Sequence, residues 1–347
     1  MRFEHGDSSH GGDPSDSMSE CVVNVSHEEI NAVARALRLV ETPRNLAVLK
    51  EVLNTFCPNL LRKLQAFRDD SDGVGYLLLR AIPVDEPVCP TPSGLRTNEI
   101  ELAPISERLL LAVASVLGEV ISYEGEWEGA LIHDVCPVRD HAESHSSMGS
   151  QEPLDIHTEL VNLIPFEPLY VCLYCVRTSE ETVARTQLLP LTTVVGCLPG
   201  RSVEALRRPE FGVSPPYSFT ESASVPAISI LSGFGKFERL AVELQSMHPI
   251  TEGAARAWAE LQSLCAGTAI INLELKSGDL LLMNNRRVAH GRAPFRAKYD
   301  GSDRWLLRVL ARNSLWPQFA SVDSNRRILK KDPAIFARLL AGSNTDS

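Results

Sequence analysis

Two patterns of apolar positions divide this chain: helical spacing dominates the first third, and short apolar runs broken by turn residues dominate the rest. Ile30, Val33, Ala34 and Leu37 share one helical face, and Ser26-His27-Glu28-Glu29 before them reads as an N-cap with acidic first-turn residues. A second helix is predicted over 43–67. Glu107–Ser122 carries Leu109, Leu110, Val113, Val116, Leu117, Val120 and Ile121 at helical spacing, which predicts a long, half-buried helix. Between these two, Tyr76–Ile82 is a short apolar run ended by Pro83, as in a buried strand, and Pro87, Pro90 and Pro92 mark 84–98 as an irregular connection.

From Gly129 to Leu189, and again from Ala227 to Ala311, the runs are rich in Val, Ile, Leu and Tyr and are separated by Gly, Pro, Asn and Asp. These are predicted strands. One helix interrupts them, about Glu252–Cys265, with Ala254, Ala257, Trp258, Leu261 and Leu264 as its stripe. Many strands with helices before and between them indicate an α+β domain built on a β-sandwich or jelly roll. Residues 1–20 are rich in Ser, Gly, Asp and His without apolar periodicity, so a disordered tail is expected there, followed by a single domain over 21–347.

Composition narrows the partners. The 34 basic and 44 acidic side chains give a formal charge of -10, which argues against nucleic acid or an anionic membrane and favours a small-molecule substrate. No run reaches the length of a membrane span and the first residues lack a signal-peptide pattern, so a cytoplasmic setting is expected. Eight scattered cysteines read as reduced thiols. Cys172 and Cys175 have zinc-knuckle spacing, but no second pair accompanies them and an odd offset puts them on opposite faces of a strand. No nucleophile elbow and no phosphate-binding glycine loop is present.

The candidate chemistry lies in His157-Thr158-Glu159 and in His290, which follows the turn Asn284-Asn285-Arg286-Arg287. On a strand, His157 and Glu159 face one side while Thr158 faces the other. Two imidazoles and one carboxylate form the ligand set that holds a non-haem Fe(II) on one face and leaves the opposite positions open.

Three blocks then occur in order: Leu154-Asp155-Ile156-His157-Thr158-Glu159, the run Gly278–Phe295, and Tyr299-Asp300-Gly301-Ser302-Asp303-Arg304-Trp305-Leu306-Leu307-Arg308. Together they resemble the clavaminate-synthase-like branch of the Fe(II)/2-oxoglutarate dioxygenases, related to the taurine dioxygenase group, over about Tyr123 to Asn313. Within that branch the nearest pattern is that of the free L-amino-acid hydroxylases acting on asparagine and arginine. The resemblance implies a double-stranded β-helix (jelly roll) core with flanking helices, Fe(II) held by His157, Glu159 and His290, 2-oxoglutarate as cosubstrate and O2 as oxidant. Arg304 falls at the family spacing for the arginine that grips the cosubstrate's far carboxylate, a task suited to the guanidinium fork, and Thr186 matches the threonine beside it.

For the substrate, the resemblance points to Arg308 for an α-carboxylate and to Ser147 in Ser146-Ser147-Met148-Gly149-Ser150, which otherwise reads as a simple loop. His133 is either a substrate contact or a satisfied strand histidine. Glu238 is the counterpart considered for the acidic residues that bind a guanidinium in the arginine hydroxylases. Leu160-Val161-Asn162-Leu163-Ile164 departs from the usual sequence after the ligand pair and changes a pocket wall. Glu159 stands where related halogenases have a small residue, which implies hydroxylation or desaturation of a free amino acid or derivative, at C3 or C4, in specialised-metabolite assembly. Two other classes remain compatible with the residues: a non-catalytic jelly-roll protein that binds a carboxylate metabolite, and an oxygen-independent metal-dependent hydrolase or isomerase in which Arg304 has no evident role.

Overall fold

A computed structural model describes residues 21–70, 73–94, 100–124, 126–164, 167–179, 183–214, 227–314, 322–323 and 327–329. The tail expected over 1–20 lies outside the described residues. Four helices gather early: α1 (His27–Arg38), α2 (Leu46–Phe56), α3 (Pro58–Asp69) and α4 (Pro104–Leu117). Three more follow: α5 (Leu191–Cys197), α6 (Gly200–Leu206) and α7 (Glu252–Ala266).

The strands that matter for the site form two facing sheets. The larger contains β1 (Val22–Asn24), β2 (Tyr76–Arg80), β3 (Glu119–Tyr123), β4 (His133–Val135), β6 (Tyr170–Arg177), β13 (Leu280–Asn284), β15 (Trp305–Arg312), β16 (Val322–Asp323) and β17 (Ile328–Leu329). Its order is β1-β2-β13-β6-β15-β3-β17-β16, with β4 also paired to β15. The smaller sheet is antiparallel, in the order β12-β7-β14-β5, from β5 (Leu154–His157), β7 (Thr186–Pro190), β12 (Ile271–Leu273) and β14 (Val288–Arg292). Two short ribbons pair β8 (Phe211–Val213) with β11 (Met247–Pro249) and β9 (Leu231–Ser232) with β10 (Arg239–Leu240).

Strand alternation sorts the apolar side chains into three cores and so fixes the layers. In β6, Tyr170, Cys172, Tyr174 and Val176 pack with residues of α1 to α4, while Val171, Leu173 and Cys175 pack with Leu188 and Val288 of the smaller sheet. The outer side of the smaller sheet, with Ile156, Leu189 and Ala289, packs on α5, α6 and α7. The layers therefore run helices, large sheet, small sheet, helices. Each step along β5, β7 and β14 alternates between the helical core and the gap between sheets, so His157, Thr186, Leu188, Val288, His290 and Arg292 face that gap.

Local chemistry corrects two predicted boundaries. The helix expected over 43–67 breaks at Cys57, whose φ of -139° is not helical, and resumes at Pro58, which lacks the donor an interior helical position requires. The helix expected to reach Ser122 ends at Leu117, and its last apolar residues, Val120 and Ile121, belong to β3 instead. A Cβ on Gly118 would lie 2.2 Å from the Arg312 carbonyl oxygen, so glycine lets the chain pass from α4 into β3 close against β15. The short α5 and α6 had no counterpart in the sequence reading. At α1, Ser26 occupies the N-cap position without a side-chain hydrogen bond, leaving Glu28 and Glu29 to complement the helix dipole.

Candidate active site

His157 ends β5 and His290 lies in the middle of β14, and the two are direct cross-strand partners with ring centroids 4.4 Å apart. This pairing needs a close approach just after His290. A Cβ on Gly291 would sit 2.6 Å from the Leu154 carbonyl oxygen, so a glycine here is what allows β14 to lie against β5. Thr158 turns outward: its amide donates to the Val242 carbonyl at 2.7 Å and its hydroxyl accepts from the Val242 amide at 3.1 Å. Glu159 lies beyond the end of β5, and Leu160 after it takes a left-handed φ of 56°.

The three side chains converge, with one donor atom from each of His157, Glu159 and His290 lying within 4.8 Å of the others. His157 Nδ1 is 2.8 Å from the Asp155 carbonyl; donation there leaves Nε2 with its lone pair. Glu159 Oε1 accepts from Arg308 Nη1 at 2.9 Å. Glu159 Oε2, 3.7 Å from His290 Nε2, and His290 Nδ1 are both buried without a hydrogen bond. Leaving such groups unpaired in a protein interior costs on the order of 1–3 kcal/mol each, more for a charge. A divalent cation among them relieves the unpaired carboxylate, so the donor set fits one.

Burial pushes the Glu159 carboxyl pKa up, but Arg308, His157, His290 and His133 outweigh it and hold the value to about 2. Burial, and then the neighbouring His157, depress His290 to about 3. At neutral pH the cluster therefore presents an ionised carboxylate beside a neutral His290, the protonation states that metal ligation requires.

Arg308 is the cross-strand partner of His133. Its Nη2 lies 2.9 Å from His133 Nδ1, while His133 Nε2 lies 2.9 Å from the Ala130 carbonyl. With Nε2–H donating to that carbonyl, Nδ1 accepts from the guanidinium, and the Trp127 ring stacks on the imidazole at 5.3 Å. His133 is buried and engaged at both nitrogens, which makes it a support for Arg308. Arg308 Nε is buried without a partner.

A second cluster of cations lies farther along the same gap. Arg304, 7% exposed, donates through Nη2 to Thr186 Oγ1 at 2.8 Å, and Thr186 is the cross-strand partner of Arg292. Arg292, 4% exposed, donates to the backbone carbonyls of Glu152 at 2.9 Å and of Ser150 and Ala293 at 3.3 Å. Burial lowers Arg304 to about 10, and burial together with Arg304 lowers Arg292 to about 10, so both stay charged at neutral pH. Neither forms an ion pair with a carboxylate among the described residues. Two desolvated guanidiniums with neutral partners suit a carboxylate ligand. Arg292 was missed in the sequence; its signal was its place in His290-Gly291-Arg292, two residues from a ligand on a strand and so on the same face.

Ser147 lies half-buried in a turn held by Gly149 N donating to the Ser146 carbonyl at 3.1 Å. That turn joins the arginine cluster through the Ser150 carbonyl, which accepts from both Arg292 Nη1 and Phe295 N. Glu238 is placed differently: its carboxylate pairs with Arg207 Nη2 on the β9–β10 ribbon. The acid beside the ligand pair is Glu243, whose backbone bridges to His157 in antiparallel register, so both side chains emerge on one side. Burial raises the Glu243 carboxyl pKa, with His157 opposing. Nothing in the sequence spacing ties Glu243 to the triad.

Comparison with known proteins places this geometry in a class. The family model described as "Taurine catabolism dioxygenase TauD, TfdA family" matches residues 226–310. L-asparagine oxygenase from Streptomyces coelicolor is 34% identical over 257 residues, covering 74% of this chain and 76% of that protein. The chain belongs to the TauD/TfdA dioxygenase family. L-lysine 3-hydroxylase from Catenulispora acidiphila is 28% identical over 264 residues, 72% of this chain and 70% of that protein. The solved structure of asparagine oxygenase in complex with Fe(II), 2S,3S-3-hydroxyasparagine and succinate superposes with a TM-score of 0.82 at 30% identity, covering 90% of this chain and all of that one. Among the described residues, no helix is long and apolar enough to cross a membrane.

Proposed function

We propose that this enzyme hydroxylates an unactivated C–H bond, at C3 or C4, of a free L-amino acid or close derivative, using Fe(II), 2-oxoglutarate and O2, in specialised-metabolite assembly. The observation that carries the reading is the pairing, in one buried gap, of a His157–Glu159–His290 cluster having an unpartnered carboxylate oxygen with Arg304 and Arg292, which have no acid partner among the described residues. An oxygen-independent hydrolase needs the first feature and has no use for the second. The two facing sheets are read as a double-stranded β-helix, or jelly roll, with flanking helices, and 21–347 as one dioxygenase domain in a cytoplasmic protein.

His157 Nε2, Glu159 Oε2 and His290 would hold the metal. When bound, Fe(II) and 2-oxoglutarate supply the oxidising chemistry: O2 is consumed as the cosubstrate becomes succinate and CO2 and one oxygen atom enters the substrate C–H bond. The protein's part is placement. Arg304, steadied by Thr186 and with Arg292 adding positive charge, would fix the far carboxylate of the cosubstrate. Arg308 retains an unpartnered Nε for an α-carboxylate, with His133 holding its guanidinium in place, and Ser147 would contribute a hydroxyl to the substrate from its turn. Glu243, on the His157 side of the gap, would accept a hydrogen bond from an amide or cationic group at the end of the substrate side chain. This is the role considered for Glu238, which is instead committed to Arg207. The relatives act on asparagine and lysine, whose side chains both end in nitrogen donors, in agreement with an acid at that position.

The test is a panel of free amino acids with Fe(II), ascorbate and 2-oxoglutarate, reading succinate and the mass gain of one oxygen atom together. Asparagine, glutamine and the basic amino acids are expected to lead. Turnover without 2-oxoglutarate, or under anaerobic conditions, would overturn the reading.

A further inference from the structure

Strand pairing alone leaves one ligand unexplained. β5 ends at His157, so Glu159 has no neighbouring strand to fix its backbone, and the next residue, Leu160, turns left-handed. The Asn285 side chain, 2% exposed, takes the place of that missing neighbour. Its Oδ1 accepts from the Glu159 amide at 2.7 Å, and its Nδ2 donates to the Glu159 carbonyl at 3.0 Å and to the Pro168 carbonyl at 2.9 Å. One amide thus satisfies both backbone groups of Glu159, as a strand partner would, and its orientation is set by the chemistry of its three partners.

The Asn285 backbone amide also donates to the Leu169 carbonyl at 2.8 Å, and the adjoining Arg286 Nε donates to Glu167 Oε1 at 2.9 Å. The β13–β14 turn therefore grips both ends of the connection from Glu159 to Leu169. That turn also leads directly into β14, which carries His290. The placement of the carboxylate and of the distal imidazole is joined through four residues of chain.

We propose that Asn285 is a positioning residue that aims Glu159 at the metal, by clamping the backbone of that residue to the strand bearing His290. The proposal rests on reading the triad as a metal site. Groups behind a ligand typically change metal affinity by roughly 10–100-fold when removed.

The test uses the metal-free full chain titrated with Co(II) and followed by visible absorption, with thermal midpoints recorded in parallel. In Asn285→Ala the Co(II) dissociation constant is expected to rise about 10–100-fold. In a Glu159→Ala background the same change is expected to add little, because the residue acts through Glu159. Ser106→Ala, which removes a buried 2.8 Å bond to Asp85 remote from the triad, serves as the stability control and is expected to lower the midpoint without moving Co(II) affinity. If Asn285→Ala does not fold, Asn285→Ser carries the same expectation. Unchanged Co(II) affinity alongside a lowered midpoint, or a full additional loss in the Glu159→Ala background, would overturn the proposal. Failure of the wild-type chain to bind Co(II) in a His157-dependent way would instead overturn the metal reading, and this proposal with it.

Discussion

The two ends of the gap between the sheets handle buried charge in opposite ways. At one end Arg308 lies 2.9 Å from Glu159, so cation and anion largely balance, with Glu159 Oε2, His290 Nδ1 and Arg308 Nε left over. At the other end Arg304 and Arg292 are equally buried, yet they face a threonine hydroxyl and backbone carbonyls. Removing a guanidinium from water without an anion costs several kcal/mol, so the second arrangement is retained for something that arrives from outside. On the proposed reading the first end orders a metal ion and the second is completed by a carboxylate. Neither role follows from burial alone, because Glu159, His290, Arg304 and Arg292 are all buried and Arg308 nearly so. What separates them is which partners the sequence supplies.

Removing a ligand is the harshest test of the first end. His157→Ala is expected to reduce succinate and hydroxylated product together to background, since no neighbouring side chain offers a replacement imidazole on that strand. Persistent coupled turnover in this variant would remove the metal assignment. At the second end, Arg304→Met is expected to raise the KM for 2-oxoglutarate by roughly 10–150-fold, the equivalent of about 1.5–3 kcal/mol for hydrogen bonds to a charged group. Its amino-acid KM should change far less. Arg308→Met should do the reverse, and a swap of the two patterns would mean that the ends have been assigned the wrong way round.

Acid distinguishes the ends with a smaller effect. In the metal-free chain His290 stays neutral down to about 3 against an ordinary 6.5, while Glu159 stays ionised to about 2 against an ordinary 4.5. The unfolded chain therefore takes up protons first, below 6.5 at His290 and below 4.5 at Glu159. Stability contributed here is complete above 6.5 and declines as the pH falls towards 3. The thermal midpoint of the metal-free protein should drop between pH 7 and pH 4.5, and His290→Gln should flatten that slope. The arginines, with pKa values of about 10, hold their charge throughout and contribute nothing to it. A slope unchanged in His290→Gln would locate the acid sensitivity elsewhere.

The same contrast explains what could be read from the sequence. Metal ligands and carboxylate anchors must be particular residue types, so the residues proposed for those roles, His157, Glu159, His290 and Arg304, stand out in a chain of otherwise ordinary apolar strands. The supports do not. Asn285 acts on the backbone of residues 126 and 117 positions away, and any residue type at those positions would present the same amide and carbonyl. Arg292 shared a short motif with His290 but had no visible partner, because its partners are also carbonyls. The broad division into helices and strands was legible from periodicity, whereas α5 and α6, of seven residues each, are too short to establish a stripe. The break at Cys57–Pro58 was signalled by proline, and the end of α4 by Gly118, yet the apolar positions on either side continued at compatible spacing.

The finest test concerns the two acids, Glu238 and Glu243, which differ in where their charge is used. Glu238 forms an ion pair with Arg207, whose side chain is 23% exposed, and such a pair near solvent contributes about 0–1 kcal/mol. Glu243 emerges beside His157, where a substrate side chain held by Arg308 at its other end would lie. Glu238→Gln is therefore expected to leave both KM values within about twofold, in keeping with that small contribution. Glu243→Gln should raise the KM of an amino acid ending in an amide or cation by roughly 5–20-fold, the loss expected when a charged acceptor becomes a neutral one. The 2-oxoglutarate KM should not move. The measurement is a pair of KM determinations for each variant, with an amino acid lacking a terminal nitrogen as the insensitive comparison. Equal losses for both kinds of amino acid would show that Glu243 supports the His157 strand and does not read the side chain. A selective loss in Glu238→Gln would return the recognition role to the ribbon, and would require Arg207 to release its partner when substrate binds.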